Sequence, residues 1–289
     1  MRSNAGISIV LPAKNEAPNL AMLLPKLRAG FPDAEVIVVD DGSSDDTRDI
    51  CLEANVNVLS HPYSMGNGAA VKSGARAALG DILVFMDADG QHDPADIPRL
   101  LSMLEQGYDM AVGARGGGSQ ANLGRGLANG LYNRLASFMV GQKVEDLTSG
   151  FRAVRADKFR EFLYLLPNGF SYPTTITMAF FRLGYAVGYV PIHAAKRTGK
   201  SHIKFARDGI RFLLIIFRVG TLYSPLKLFL PISSVFFILG ISYYAYTYLS
   251  HGRFTNMSAL LLITSVLVFL IGLVSEQITS LNYKDTNKR

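Results

Sequence analysis

Two apolar runs late in the chain, 226–249 and 254–275, constrain it more than any other feature: together they carry one formal charge, Lys227. A helix needs roughly 20 apolar residues to cross a bilayer core, and each run is longer. Burying two such helices on all sides would need much more chain than follows Arg253, so a transmembrane hairpin is expected over 226–281. Tyr243, Tyr244, Tyr246 and Tyr248 cluster toward one end of the first run, where rings stay in lipid and hydroxyls reach water. Basic residues concentrate before the hairpin (Lys196, Arg197, Lys200, Lys204, Arg207, Arg211, Arg218) and after it (Lys284, Lys288, Arg289). By the positive-inside tendency both ends face the cytoplasm and the 250–253 turn lies outside, with Arg253 the dissenting charge. Glu276, near the inner end of the second run, is read as a carboxylate reaching the interface.

Within 203–225, Lys204, Arg207, Arg211 and Arg218 share one helical face, with Phe205, Phe212, Leu213, Ile216 and Phe217 opposite. This pattern predicts an amphipathic helix in the headgroup plane. The net charge of +6 thus points to membrane lipids as partners rather than nucleic acid. The apolar stretch Ile7–Leu11 is too short for a secretory signal and breaks at Pro12, so residues 1–202 are expected in the cytoplasm. The single cysteine, Cys51, excludes an internal disulfide.

Residues 1–202 alternate strand and helix patterns. Ile7–Pro12, Val36–Asp40, Val56–Leu59, Ile82–Met86 and Met110–Gly113 read as strands; Leu127–Val140 and Thr174–Arg182 read as helices. Such alternation predicts an α/β domain with a mainly parallel sheet, whose ligands sit beyond the carboxyl ends of the strands. Those ends carry Ala13-Lys14-Asn15-Glu16, Asp40-Asp41-Gly42-Ser43-Ser44, Asp87-Ala88-Asp89-Gly90-Gln91 and Ala114-Arg115. Carboxylates two apart at a strand end, as in Asp87 and Asp89, can share a hard divalent cation that bridges the phosphates of a nucleotide diphosphate. An Asp-rich turn can equally be turn chemistry alone. His92 reads as a surface imidazole beside this motif.

Taken in order, Ser8–Glu16, Val38–Ser43, Gly66–Val71 and Met86–Gln91 resemble family 2 glycosyltransferases, over about residues 6–202. The branch most resembled comprises the dolichol-phosphate mannose synthases and polyprenyl-phosphate hexose synthases. The resemblance implies a GT-A-type Rossmann-like domain followed by the amphipathic segment and the two membrane helices. It implies a nucleotide-diphosphate sugar donor lined by Pro12, Ala13, Asn15, Glu16, Asp40, Asp41, Asp87 and Ala88. It implies Mg2+ or Mn2+ on Asp87, Asp89 and Gln91, and a polyprenyl-phosphate acceptor met by Arg134, Ser149, Arg152, Lys200 and Ser201. Asp89, Arg115, Asp146 and Arg197 are the expected catalytic set, with Asp146 open between an acid/base or acceptor-positioning role and capping a turn.

Two departures stand out. Asn67 occupies a place where many relatives carry lysine, so Gly66 and Gly68 are expected only to permit a tight helix start. The chain has no Trp and lacks the Gln-x-x-Arg-Trp signature of processive polysaccharide synthases, which favours one transfer per encounter. Extension of a lipid-linked saccharide, a non-catalytic nucleotide-sugar-binding scaffold, and a homo-oligomeric state all stay open.

Overall fold

The apolar runs form strands where the sequence places them. In a computed structural model, described over residues 6–115, 123–169, 171–193 and 224–286 with Leu214, Phe217, Gly220 and Thr221, they are β1 (Ile7–Ala13), β2 (Glu35–Asp40), β3 (Asn57–Ser60), β4 (Ile82–Phe85) and β5 (Met110–Arg115). Two further strands, β6 (Arg152–Arg155) and β7 (Val187–Ile192), complete a seven-stranded sheet of order β3-β2-β1-β4-β6-β5-β7. Strand β6 runs antiparallel to both β4 and β5, and every other pairing is parallel. The mainly parallel expectation therefore holds, with one reversed strand in the middle.

Helices α1 (Ala17–Gly30), α2 (Thr47–Glu53), α3 (Asn67–Ala77), α4 (Ile97–Glu105), α5 (Leu123–Val140), α6 (Ala156–Arg160) and α7 (Tyr172–Arg182) fill the connections. Leu20, Leu24 and Leu27 of α1 and Leu100 and Leu104 of α4 bury one sheet face with Ile9, Leu11, Val38 and Val84. Helix α3 lies so close to the other face that a Cβ on Gly74 would stand 2.3 Å from Val10 Cγ1. Cys51 is fully buried and its thiol is pushed up to about 11, chiefly by burial.

The chain divides into two compact units, Met1–Ser137 with Gln142–Phe205, and Phe138–Gly141 with Ala206–Arg289. The second contains α8 (Pro225–His251) and α9 (Asn256–Thr286), both long and apolar enough to cross a membrane. Small residues bring them together, as is usual where lipid removes any hydrophobic drive between helices. The hydroxyls of Ser233 and Ser265 donate to each other's carbonyls at 2.9 and 3.0 Å. Gly272 lies against Phe229, where a Cβ would meet the Phe229 Cβ at 2.8 Å. Glu276 has a more specific place than a carboxylate reaching the interface: its Oε2 accepts the Leu226 amide at 3.2 Å and caps the start of α8. Most of the expected amphipathic helix over 203–225 lies outside the described residues.

Candidate active site

Because β1, β2, β4 and β5 run the same way, their carboxyl ends share one edge, with Ala13 paired to Asp40 and Val10 to Phe85. Two loops there are tied together by hydrogen bonds. The Asn15 amide donates to Ser43 Oγ at 2.9 Å, and Asn15 Oδ1 accepts the Ser44 amide at 2.8 Å. The Glu16 amide donates to Thr47 Oγ1 at 3.0 Å and the Ala17 amide to Asp45 Oδ2 at 3.2 Å. Asn15 takes a left-handed φ of 56°, one of the few conformations for which an asparagine substitutes for glycine. Pro12, Ala13, Asn15 and Glu16 are thereby gathered beside Asp40, whose Oδ1 accepts the Ser43 amide at 2.9 Å.

Asp87 and Asp89 follow β4 and remain partly exposed, with Ala88 buried between them. The Asp87 carboxylate lies against Gly150, where a Cβ would stand 2.7 Å from its Oδ2. Opposite, Arg115 at the end of β5 forms a two-pronged pair with Asp146, Nε to Oδ2 at 2.8 Å and an Nη to Oδ1 at 3.0 Å. Burial works against the Arg115 charge, but the Asp146 bond and charge, then Asp87 and Asp89, raise its pKa above the ordinary value. One guanidinium thus faces three carboxylates, and its side chain keeps 28% exposure toward the edge.

The Asp146 oxygens are occupied on every side, which favours the turn-capping reading over the acid/base one. Its Oδ1 also accepts the amides of Thr148 and Ser149 at 3.0 and 3.1 Å, and its Oδ2 accepts the Arg115 amide at 3.2 Å. Burial pushes its pKa up, yet the Arg115 bond and charge and these amides together hold it below the usual carboxylate range. A carboxylate so engaged organises a turn and has no lone pair left for a substrate proton.

Three other expectations change. Asp41 is buried, and its two oxygens accept from His61 Nδ1 (2.8 Å), Ser64 Oγ (2.8 Å) and the Met65 and Gly66 amides (2.7 and 2.8 Å). It latches the turn before α3 and has no capacity left for a donor. Ser149 and Arg152, expected to meet acceptor phosphate, are 1% and 0% exposed, so both lie beneath the surface an incoming phosphate would meet. His92 is 7% exposed rather than superficial, stacked on Phe151 with ring centroids 5.0 Å apart. Arg134 stands exposed on α5. Arg197, Lys200 and Ser201 lie outside the described residues.

The sequence reading missed the pieces that hold the site rather than line it. Thr47 and Asp45 pin the first loop pair, and Tyr172 and Thr174 of α7 reach the turn at Leu147–Gly150. The helical pattern from Thr174 was visible, but nothing in it marked which side chains would meet a turn some 25 residues earlier in the chain.

Among the described residues, no three His, Cys, Asp or Glu side chains gather into a metal cage. Two partly exposed carboxylates at a strand end fit instead a hard divalent cation that takes its other ligands from substrate phosphate, as Mg2+ commonly does.

Fold and site together define a glycosyltransferase of the GT-A type. The model of glycosyl transferase family 2 matches residues 8–163, over half of the chain, and the chain belongs to that family. A second model, the GtrB C-terminal hairpin, matches residues 224–281. An undecaprenyl-phosphate mannosyltransferase from Micrococcus luteus is 35% identical over 205 residues, covering 65% of this chain and 83% of its own. Glycosyltransferase AglJ of Haloferax volcanii is 28% identical over 96% of this chain and 94% of its own. Among solved structures, glucosyl-3-phosphoglycerate synthase from Mycobacterium tuberculosis with Mn2+ and uridine-diphosphate-glucose is 26% identical, with a TM-score of 0.58 over 73% of this chain and 79% of that one.

Proposed function

We propose that this glycosyltransferase moves a hexosyl group, with inversion, from a nucleotide-diphosphate sugar to a polyprenyl phosphate such as undecaprenyl or dolichyl phosphate, at the cytoplasmic face of a membrane. The observation that carries the reading is Arg115, fixed by Asp146 beside Asp87 and Asp89 on the strand-end edge of a chain that also has a membrane hairpin. The names of the relatives support both substrates: the Micrococcus luteus enzyme is named for undecaprenyl phosphate, and the solved Mycobacterium tuberculosis enzyme was bound to Mn2+ and a UDP-sugar.

The division of labour follows from charge. A lipid phosphate is already anionic near neutral pH and can attack the anomeric carbon without a protein base, so alignment and charge neutralisation are the main tasks. Pro12, Ala13, Asn15, Glu16 and Asp40 would hold the nucleotide in the pre-tied loops. Asp87 and Asp89, with Gln91, would hold Mg2+ or Mn2+, whose chemistry is to offset the charge growing on the departing diphosphate. Arg115 would orient phosphate from the opposite side, joined by Arg134 and, from the segment after β7, by Arg197, Lys200 and Ser201.

The test is turnover by the purified chain in detergent with undecaprenyl or dolichyl phosphate, a divalent cation and a panel of labelled UDP- and GDP-sugars. One donor should label the lipid phase, EDTA should abolish the signal, and Asp89→Asn should lower kcat by at least about 100-fold. Lipid labelling by Asp89→Asn at the wild-type rate would sink the proposal. Donor hydrolysis without a lipid product would favour extension of a lipid-linked saccharide, the alternative acceptor on the same fold.

A further inference from the structure

Arg152 stands in β6, between Phe85 of β4 and Val112 of β5, with no solvent exposure. Its partners are all uncharged. It donates to the Ser149 carbonyl, to Thr177 Oγ1 at 3.2 Å and to the Pro173 carbonyl at 3.4 Å, with Met110 Sδ at 3.7 Å. The guanidinium also lies 5.5 Å from the centre of the Tyr172 ring. Among the described residues it makes no ion pair. A buried cation without a carboxylate is costly, and an apolar side chain could fill the same space without that cost. What an apolar side chain cannot supply is a rigid fork of donors.

The fork joins α7, through Pro173 and Thr177, to one turn, through Ser149. Three carbonyls of Leu147–Gly150 are gripped: Leu147 by Thr174 Oγ1 at 3.4 Å and Gly150 by Tyr172 Oη at 3.1 Å, both from α7, and Ser149 by Arg152 from β6. Asp146 takes the amides of Thr148 and Ser149. The turn is therefore held from both sides, and its last residue is the glycine against which the Asp87 carboxylate rests. Any shift of the turn moves the surface that Asp87 packs on and the carboxylate that aims Arg115.

We propose that Arg152 is a positioning residue for sugar transfer: with Tyr172 and Thr174 it fixes the Asp146–Gly150 turn, and through that turn the relative placement of Asp87 and Arg115. It touches neither substrate. Burial lowers the Arg152 pKa, but a guanidinium starts so far above the working pH range that it stays protonated there, which leaves a positive charge beneath a site that binds two anionic substrates. The proposal rests on the glycosyl-transfer reading above.

The experiment compares wild type, Arg152→Lys, Arg152→Met and Tyr172→Phe as full-length protein in detergent. It measures thermal midpoint, hydrogen exchange of the 146–152 segment, and kcat and KM separately for donor and undecaprenyl phosphate. Tyr172→Phe loses one hydrogen bond and keeps its packing, so its thermal midpoint should stay near wild type. Its turn amides should exchange faster and its kcat should fall about 10-fold with donor KM little changed. Arg152→Met should lose about 100-fold in kcat, the scale of a small misplacement at a reacting centre, and Arg152→Lys should recover part of it. Lower thermal midpoints with kcat unchanged in the folded variants would overturn the proposal, as would equal losses in Arg152→Lys and Arg152→Met with no change in exchange. If wild type transfers sugar to no lipid phosphate, that reading of the acceptor fails. The donor hydrolysis rates and exchange of the same four proteins then decide the positioning role, with wild-type rates in Arg152→Met and Tyr172→Phe overturning it.

Discussion

Several acidic side chains at the strand-end edge divide into two groups by what their oxygens already accept. Asp41 is saturated by two amides, Ser64 and the His61 ring, and Asp146 by amides and Arg115, whereas Asp87 and Asp89 keep exposure toward the edge. In sequence Asp41, Asp87 and Asp89 look alike, each beside a small residue just after a strand, and nothing in Asp146, between Glu145 and Leu147 ahead of β6, marks it as saturated either. The distinction depends on which loops fold back over which carboxylate, and that is tertiary information. It also gives a pH signature. The folded Asp146 carboxyl lies below its ordinary value of 3.8, so its stabilisation is complete above that value and is lost as pH falls through the lower, folded one. Asp146→Asn should be less stable than wild type at pH 7 by about 3 kcal/mol, the scale of breaking a buried pair. The two melting curves should converge in strong acid. A gap that stays constant from pH 7 down to pH 2 would mean that Asp146 is not stabilising as a charge.

At the scale of elements, helix α3 shows how a motif can be located correctly and explained incompletely. Gly66 and Gly68 were expected to permit a tight helix start, and Gly66 does take a left-handed φ of 101°. Their larger effect is to admit another segment: a Cβ on Gly68 would stand 2.0 Å from the Pro167 carbonyl, and the Ala69 amide donates to the Asn168 carbonyl at 2.9 Å. Lys72 then reaches the Leu166 carbonyl at 3.1 Å. The start of α3 therefore spends donors on protein backbone that a phosphate would otherwise attract. Gly68→Ala should lower the thermal midpoint by the equivalent of about 3 kcal/mol, at the high end of overpacking costs because the opposing atom is backbone. A midpoint within a degree of wild type would show that the 167–169 segment is free to yield. Strands β1 to β5 were legible because each is a short apolar run closed by turn residues. Strand β7 was not, since Val187–Ile192 alternates with Gly188 and Pro191 and draws its order from pairing along β5.

For the whole molecule, the two units differ in how much of each the sequence disclosed. The hairpin was legible from length and apolar composition alone, because the bilayer requirement is nearly one-dimensional. The catalytic unit was legible as a class and as an edge, while its internal bracing was not. The proposed orientation can be tested with the protein's own chemistry, since the sole cysteine, Cys51, is buried. In whole cells, a membrane-impermeant maleimide should label Ser250→Cys, in the last turn of α8. A cysteine at Leu79, 87% exposed in the catalytic unit, should be labelled only after lysis. The reverse pattern would invert the topology.

Strand β6 has a further consequence, for the order in which the chain folds as it leaves the ribosome. Strands β4 and β5 never pair with each other; Arg152–Arg155 separates them, although it is made some 40 residues after β5. The β3-β2-β1-β4 half can assemble as soon as it emerges, but its β4 edge stays unpaired through the synthesis of everything up to Arg155. During that interval the nascent sheet presents an open row of backbone donors and acceptors, the kind of edge that invites pairing with a neighbouring chain. The same late strand that carries Arg152 into the centre of the domain also sets the period when the unfinished protein is most exposed to misassembly.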